Sequence, residues 1–192
     1  AIQKRIGGSV GFNRTREEYE RGFGDVTDSY WIGNDIIHQM SKGRNSSLYV
    51  SITLTNGTTL YELYHQFSIS DESDNYRLFL GNQLPGLWVI AFNTNDDLSG
   101  MNFSTPDRDN DGNDRDGRAG NCAAWYGGGW WFIFCYAAFL NGPWSPAQTG
   151  NPWWPTLTDN RERLTVLYLI VRDCKEDCSN DKTSLTVSYL IY

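Results

Sequence analysis

Several features that would signal catalysis, a membrane span or nucleic-acid binding are scarce or missing in this chain of 192 residues. Its longest strongly apolar run covers only residues 166–171 (VLYLIV), against the roughly 20 residues that a transmembrane helix needs. There are two histidines, His38 and His65, both far from every cysteine in sequence. A mixed His/Cys zinc site and a Ser/His/Asp or Cys/His catalytic arrangement are therefore not suggested, and both histidines read as ordinary, partly buried residues. Lys and Arg number 16 against 23 Asp and Glu, a net charge of −7. That balance offers no general attraction to nucleic acid or to an anionic bilayer, although a local basic patch remains compatible with an acidic sugar. No internal repeat and no Pro/Gly/Ser-rich linker divides the sequence, so it reads as one domain over 1–192.

Aromatic residues, by contrast, are plentiful: 15% of the chain, including 8 Trp and 11 Tyr, enough for a sizeable core. The four cysteines, Cys122, Cys135, Cys174 and Cys178, form an even set that fits disulfides better than zinc. Asn-x-Ser/Thr sequons occur at Asn13, Asn45, Asn56 and Asn102. Cysteines and sequons together point outside the cell, and Ala1 in place of Met fits a processed, secreted chain.

The local patterns alternate between helix and strand signals. Asn13 or Thr15 caps a first helix that carries Glu17 and Glu18 in its first turn and stops at Gly22. A second helix begins near Asn34 or Asp35, with Ile37 and Met40 sharing a face. From residue 47 the period becomes two: Leu48, Val50, Ile52 and Leu54 alternate with polar residues up to an Asn56-Gly57 hairpin turn. Strands follow at 60–67 and 76–80, a loop or short strand at 84–92, and further strands at 163–171 and 185–192. The stretch 93–151 is irregular and rich in Gly, Asn, Asp and Trp, as functional regions pinned onto a scaffold often are. The fold class is α+β with an antiparallel sheet.

Two features of that irregular stretch carry chemistry. Asp107, Asp109, Asp111, Asp114 and Asp116 crowd into ten residues with Asn and Gly between them. Such carboxylates repel unless a cation screens them, and hard oxygen donors on a pliable backbone suit Ca²⁺. An EF-hand is excluded, because the twelfth position from Asp107 is Arg118 where a bidentate Glu is needed. Next come Cys122 and Cys135 with twelve residues between them, a loop for which a disulfide is worth roughly 3 kcal/mol. Inside that loop Gly127, Gly128 and Gly129 permit close backbone approach, and Trp130 and Trp131 read as core. Tyr126 and Tyr136, beside the two cysteines, are placed to wall a small pocket.

Taken together, NCAAWYGGGWWFIFCYAAFLNG, the preceding FSTPDRDNDG, and the upstream Tyr19-x-x-Gly22-Phe23-Gly24, Tyr30-Trp31-Ile32-Gly33-Asn34 and Ile37-His38 resemble the fibrinogen-like domain over about residues 8–144. The family's N-terminal segment would lie before the resemblance begins. The sequence departs from the family pattern in three ways: Arg16 replaces a Trp, the acidic loop carries about five extra residues, and the part after Trp154 diverges. The insertion leaves two registers for the calcium loop that the resemblance implies. One uses Asp109 and Asp111; the other uses Asp114 and Asp116 with the carbonyls of Arg118 and Gly120. The resemblance also implies a Cys122–Cys135 disulfide and a cis peptide bond before Cys122, while Cys174 and Cys178, without a family counterpart, would form a local disulfide or link two subunits.

By resemblance to ficolins, tachylectins and invertebrate lectins of the family, the expected function is a secreted lectin. Its ligands would be N-acetylated glycans, sialoglycoconjugates among them, with the acetyl group in an aromatic pocket of Asn121, Tyr126, Phe134, Tyr136 and Trp153 or Trp154. Arg118, Arg161 or Arg163 would meet a sialic acid carboxylate. Weak single sites imply a homo-oligomer. The other expectation, from a different class, is a protein- or peptide-interaction module of the fibrinogen type; an enzyme is not expected.

Overall fold

The computed structural model describes residues 1–81, 98–112, 120–133, 135, 138–144, 152 and 164–173. The main sheet has six strands, all paired antiparallel, drawn from both ends of the described chain. In chain order they are β1 (Gln3–Arg5), β2 (Phe23–Gly24), β3 (Tyr30–Trp31), β4 (Ser46–Leu54), β5 (Thr59–Tyr64) and β10 (Leu164–Asp173). Their order across the sheet is β2-β3-β1-β10-β4-β5. The late strand β10 thus slots between β1 and β4, closing the sheet with contacts far apart in sequence. Two further ribbons pair β6 (Ser68–Ile69) with β7 (Leu78–Phe79) and β8 (Phe103–Ser104) with β9 (Trp130–Trp131). Among the described residues three short α-helices, α1 (Arg16–Arg21), α2 (Asn34–Ser41) and α3 (Cys122–Tyr126), and a 3₁₀ turn at Glu72–Asp74 complete the set. Among the described residues no helix is long and apolar enough to cross a membrane.

Helix α1 follows its sequence signals closely. Thr15 accepts from Glu18 N, and the Glu18 carboxylate accepts in return from Thr15 N at 2.9 Å, a reciprocal cap at the N-terminus. Gly22 ends the helix at φ 91°, where a Cβ would sit 2.5 Å from the Ile32 carbonyl oxygen, so no side chain fits.

Elsewhere tertiary packing overrules the local expectation. In α2 the cap is Gly33, while Asn34 is buried and accepts from Trp31 Nε1 at 2.9 Å. The buried face runs Asn34, Ile37, Ser41, so Met40 lies outside it and stays 38% exposed. Strand β4 was expected to bury one face only, yet its serines and Tyr49 are buried alongside Leu48, Val50 and Ile52. β4 lies between β10 and β5 in the sheet and both of its faces are covered, so the alternation in its sequence does not separate a core face from a solvent face. The Asn56-Gly57 turn forms as expected, with Gly57 at φ 84° and Leu54 N donating to Thr58 O. The strand expected at 76–80 shrinks to Leu78–Phe79 because Asn75 and Tyr76 both take positive φ and break the extended path. The expected strand at 185–192 and the segment at 84–92 lie outside the described residues.

The core is aromatic. Phe103 and Trp131 meet edge to face at 4.9 Å, Tyr19 lies 5.2 Å from Phe103, and Trp31 joins the same group. Each favourable pair adds about 0.5–1.5 kcal/mol beyond area burial. This cluster joins β3, α1, β8 and β9, and it fixes the platform on which the irregular segment sits.

Candidate ligand and cation site

Pairing of β8 with β9 brings the start of the acidic loop beside the Gly/Trp run. The loop leaves β8 through a tight turn closed by Thr105 and Arg108, each donating its N–H to the other's carbonyl. Asp107, although exposed, reaches α1: its Oδ1 accepts from Arg16 N at 2.9 Å and from the Thr105 hydroxyl at 2.8 Å. It therefore serves the N-terminus of α1, where a carboxylate is favoured by the exposed amides. Asn110 returns to β8, donating from its backbone to Ser104 Oγ and from its side chain to Phe103 O. Asp109 Oδ1 accepts from Asp111 N at 3.1 Å, and Asp111 Oδ2 accepts from Cys122 N at 2.8 Å.

That last bond ties the loop to the disulfide. Cys122 and Cys135 are joined, with their Cα atoms 5.3 Å apart, and an Asp111 carboxylate oxygen lies within 4.8 Å of both sulfurs. The sulfurs are oxidised and are not thiolate ligands, so the donors on offer here are carboxylate and carbonyl oxygens. Such a set fits a hard cation such as Ca²⁺. Asn121 holds the far side. It caps α3 by accepting from Ala124 N at 3.0 Å, and its Nδ2 donates to Thr105 O at 2.7 Å. On α3, Cys122 and Ala123 are buried, Tyr126 is half-buried with its ring 6.1 Å from that of Phe139, and Trp125 points outward, 76% exposed.

The glycine run is a close-packing device. A Cβ on Gly128 would lie 2.6 Å from Asn141 O, and one on Gly129 would lie 2.8 Å from the Tyr19 ring. Gly129 N donates to the Tyr19 hydroxyl at 3.0 Å, and that hydroxyl donates to Phe12 O at 2.7 Å. Burial pushes the Tyr19 phenol well above its usual range, so it stays protonated. Strand β1 then clamps the segment that follows. Gln3 Nε2 donates to Asn141 Oδ1, Asn141 Nδ2 donates to Gly129 O at 2.8 Å, and Arg5 donates to the carbonyls of Leu140 and Gly142. The Arg5 guanidinium also lies over the rings of Phe12 and Trp144, 4.1 and 5.2 Å from their centres. Desolvation lowers its pKa to about 10, which leaves it charged at neutral pH.

The family model for the fibrinogen beta and gamma chains' C-terminal globular domain matches residues 1–154. The chain belongs to this family. Human fibroleukin is 39% identical over 142 residues, 73% of this chain and 31% of that protein. Rat fibrinogen alpha chain is 38% identical over 162 residues, 79% of this chain and 20% of that protein. The chain thus spans a third or less of these relatives. The fibrinogen-like globe domain of human ANGPTL2 superposes with a TM-score of 0.79 at 30% identity, over 90% of this chain and 78% of that one. A lamprey fibrin D-dimer complexed with the peptide Gly-His-Arg-Pro-amide gives 0.77 at 30% identity, over 97% of this chain and 65% of that one.

For this fibrinogen-like domain the match reaches further at both ends than the span of about 8–144 that the motifs mark. The structure brings Asp109, Asp111, Gly120, Asn121, Cys122, Cys135 and Tyr126 onto one loop–helix unit. Phe134, Tyr136, Trp153, Trp154, Asp114, Asp116, Cys174 and Cys178 lie outside the described residues, as do Arg118, Arg161 and Arg163. The peptide bond between Asn121 and Cys122 is trans, not cis, which corrects the expectation drawn from the family. Sequence reasoning passes over Gln3, Arg5 and Trp125. Helical periodicity in CAAWY sets Trp125 three residues after Cys122, on its side of the helix, so the period alone does not mark Trp125 as exposed. Nothing in β1 hints at the partners of the Gln3 and Arg5 side chains, which lie more than 130 residues away.

Proposed function

We propose that this fibrinogen-like domain is an extracellular protein-interaction module that takes an extended peptide segment of a partner at the surface around the Cys122–Cys135 disulfide. The observation that carries the reading is the Asp111–Cys122 hydrogen bond, which couples the acidic loop to that surface. A site so built responds to whatever orders the loop. The likeness to a fibrin D-dimer complexed with a tetrapeptide supports a peptide as the occupant. The net charge of −7 supports a cationic one. Calcium is the ion proposed for the loop. Asp109 and Asp111 would hold it in one register, Asp114 and Asp116 with the Gly120 carbonyl in the other, and the ion would screen the carboxylates and order the chain around them. The N-acetylated glycan reading rests on Tyr126 and the exposed Trp125, aromatic faces suited to a sugar ring. The relatives above favour the protein partner.

Calorimetric titration decides between them. Gly-His-Arg-Pro-amide, N-acetylglucosamine and N-acetylneuraminic acid are each added with calcium and with a chelator. Peptide binding that weakens on chelation is the expected result. Binding of the acetylated sugars without the peptide would replace this reading with the lectin one.

A further inference from the structure

The structure places the four sequons in different surroundings. Asn102 is half-buried, its side-chain carbonyl oxygen is shut off from solvent, and Ser104 of the same sequon is fully buried and accepts from Asn110 N. Asn45 is exposed, but Ser46 and Ser47 are buried and Ser47 Oγ lies 3.3 Å from His65 Nδ1. Asn13 is exposed but sits against α3, since a Cβ on Gly127 would lie 3.7 Å from its Nδ2, and the Thr15 hydroxyl is committed to capping α1. Asn56 differs from all three. Residues 55–58, the tip of the β4–β5 hairpin, are exposed throughout, and no described tertiary contact involves the Asn56 side chain.

We propose that Asn56 carries an N-linked glycan. Its Oδ1 accepts from Thr58 N at 2.8 Å, which folds the Asn-x-Thr triplet back on itself at the exposed hairpin tip. The donor is a lipid-diphosphate-linked oligosaccharide. The Asn56 amide nitrogen forms a bond to the anomeric carbon, the bond from that carbon to the diphosphate oxygen breaks, the amide gives up one proton, and the lipid diphosphate leaves. The reaction belongs to the same oxidising secretory lumen that the Cys122–Cys135 disulfide requires. The hairpin lies at the β5 edge of the sheet, whereas the candidate site is tied to α1 and β1. A glycan at Asn56 therefore shields an edge strand from edge-to-edge association and leaves the binding surface open.

The test is expression of the full chain behind a secretion signal in a eukaryotic cell. Peptides from the retained and secreted pools are then mapped before and after N-glycosidase treatment in heavy-oxygen water. The peptide containing Asn56 should carry a glycan, and enzymatic release should leave an oxygen-labelled Asp. Both Asn56→Gln and Thr58→Ala should lose this glycan with a matching mobility shift, and Thr58→Ser should keep it. Calorimetric behaviour of Asn56→Gln toward the peptide should be unchanged. An unmodified Asn56 peptide in both pools would overturn the proposal. So would Asp or isoAsp at this Asn-Gly step with no prior glycan, which is spontaneous deamidation.

Discussion

At the scale of single residues, Tyr19 shows how one polar atom joins two parts of the chain. Its hydroxyl donates to Phe12 O and accepts from Gly129 N, inside a core where the ring is fully buried. In Tyr19→Phe the ring packing survives, and both backbone groups lose their partner without gaining water. The expected cost is about 1–3 kcal/mol. In a chain of this size that lowers the melting temperature by about 2–4 °C per kcal/mol, read by calorimetry. A loss indistinguishable from zero would mean that water reaches Gly129. Asp107 is the companion case. It stands among five aspartates of similar spacing, yet only its environment makes it a helix partner.

Among the elements, α3 is the short helix that carries the site, and Asn121 both caps it and tethers the acidic loop through Thr105 O. Asn121→Ala should cost about 0.5–2 kcal/mol from the cap. It should also weaken calcium binding, measured by calorimetric titration, because the loop loses its anchor. An unchanged calcium affinity would show that the tether is irrelevant to the ion. Three exposed carboxylates contribute to the acid sensitivity of the fold. The Glu18 carboxylate is held below its ordinary pKa by the Thr15 amide, and the Asp25 and Asp71 carboxylates by the hydroxyls of Thr27 and Ser73. All three are depressed in the folded chain, so their contribution is present above the unfolded carboxylate range and is lost as pH falls through the lower folded values. Stability should be flat with respect to these groups near neutrality and decline below about pH 4. Thermal melts of Glu18→Gln should show a shallower decline than the parent.

For the molecule as a whole, the disulfide, the acidic loop and the sheet act together. Removing the covalent link in Cys122→Ser/Cys135→Ser should cost about 2–4 kcal/mol. The same variant should bind calcium more weakly, since Asp111 is held by the Cys122 amide. In the parent chain calcium at 100 times its dissociation constant should add about 2.7 kcal/mol, removed by a chelator. Equal melting curves with and without chelator would argue against any ion in the loop.

Much of this protein is written locally. Thr15, Glu18 and Gly22 bound α1, Asn56-Gly57 turns the hairpin, and the motifs around Cys122 and Cys135 carry the family, because each rests on neighbours within a few residues. Hydrophobic spacing could not show that β4 would be covered on both faces or that Met40 would miss the core, since both depend on which elements pack alongside. Nor could it show that Arg5 clamps the carbonyls of Leu140 and Gly142, or that Asp107 belongs to α1 while Asp111 belongs to the disulfide. The acidic stretch offers several carboxylates of the same chemistry at the same spacing. Only the three-dimensional arrangement of amide donors separates them, because a carboxylate takes its role from the nearest N–H that it can satisfy.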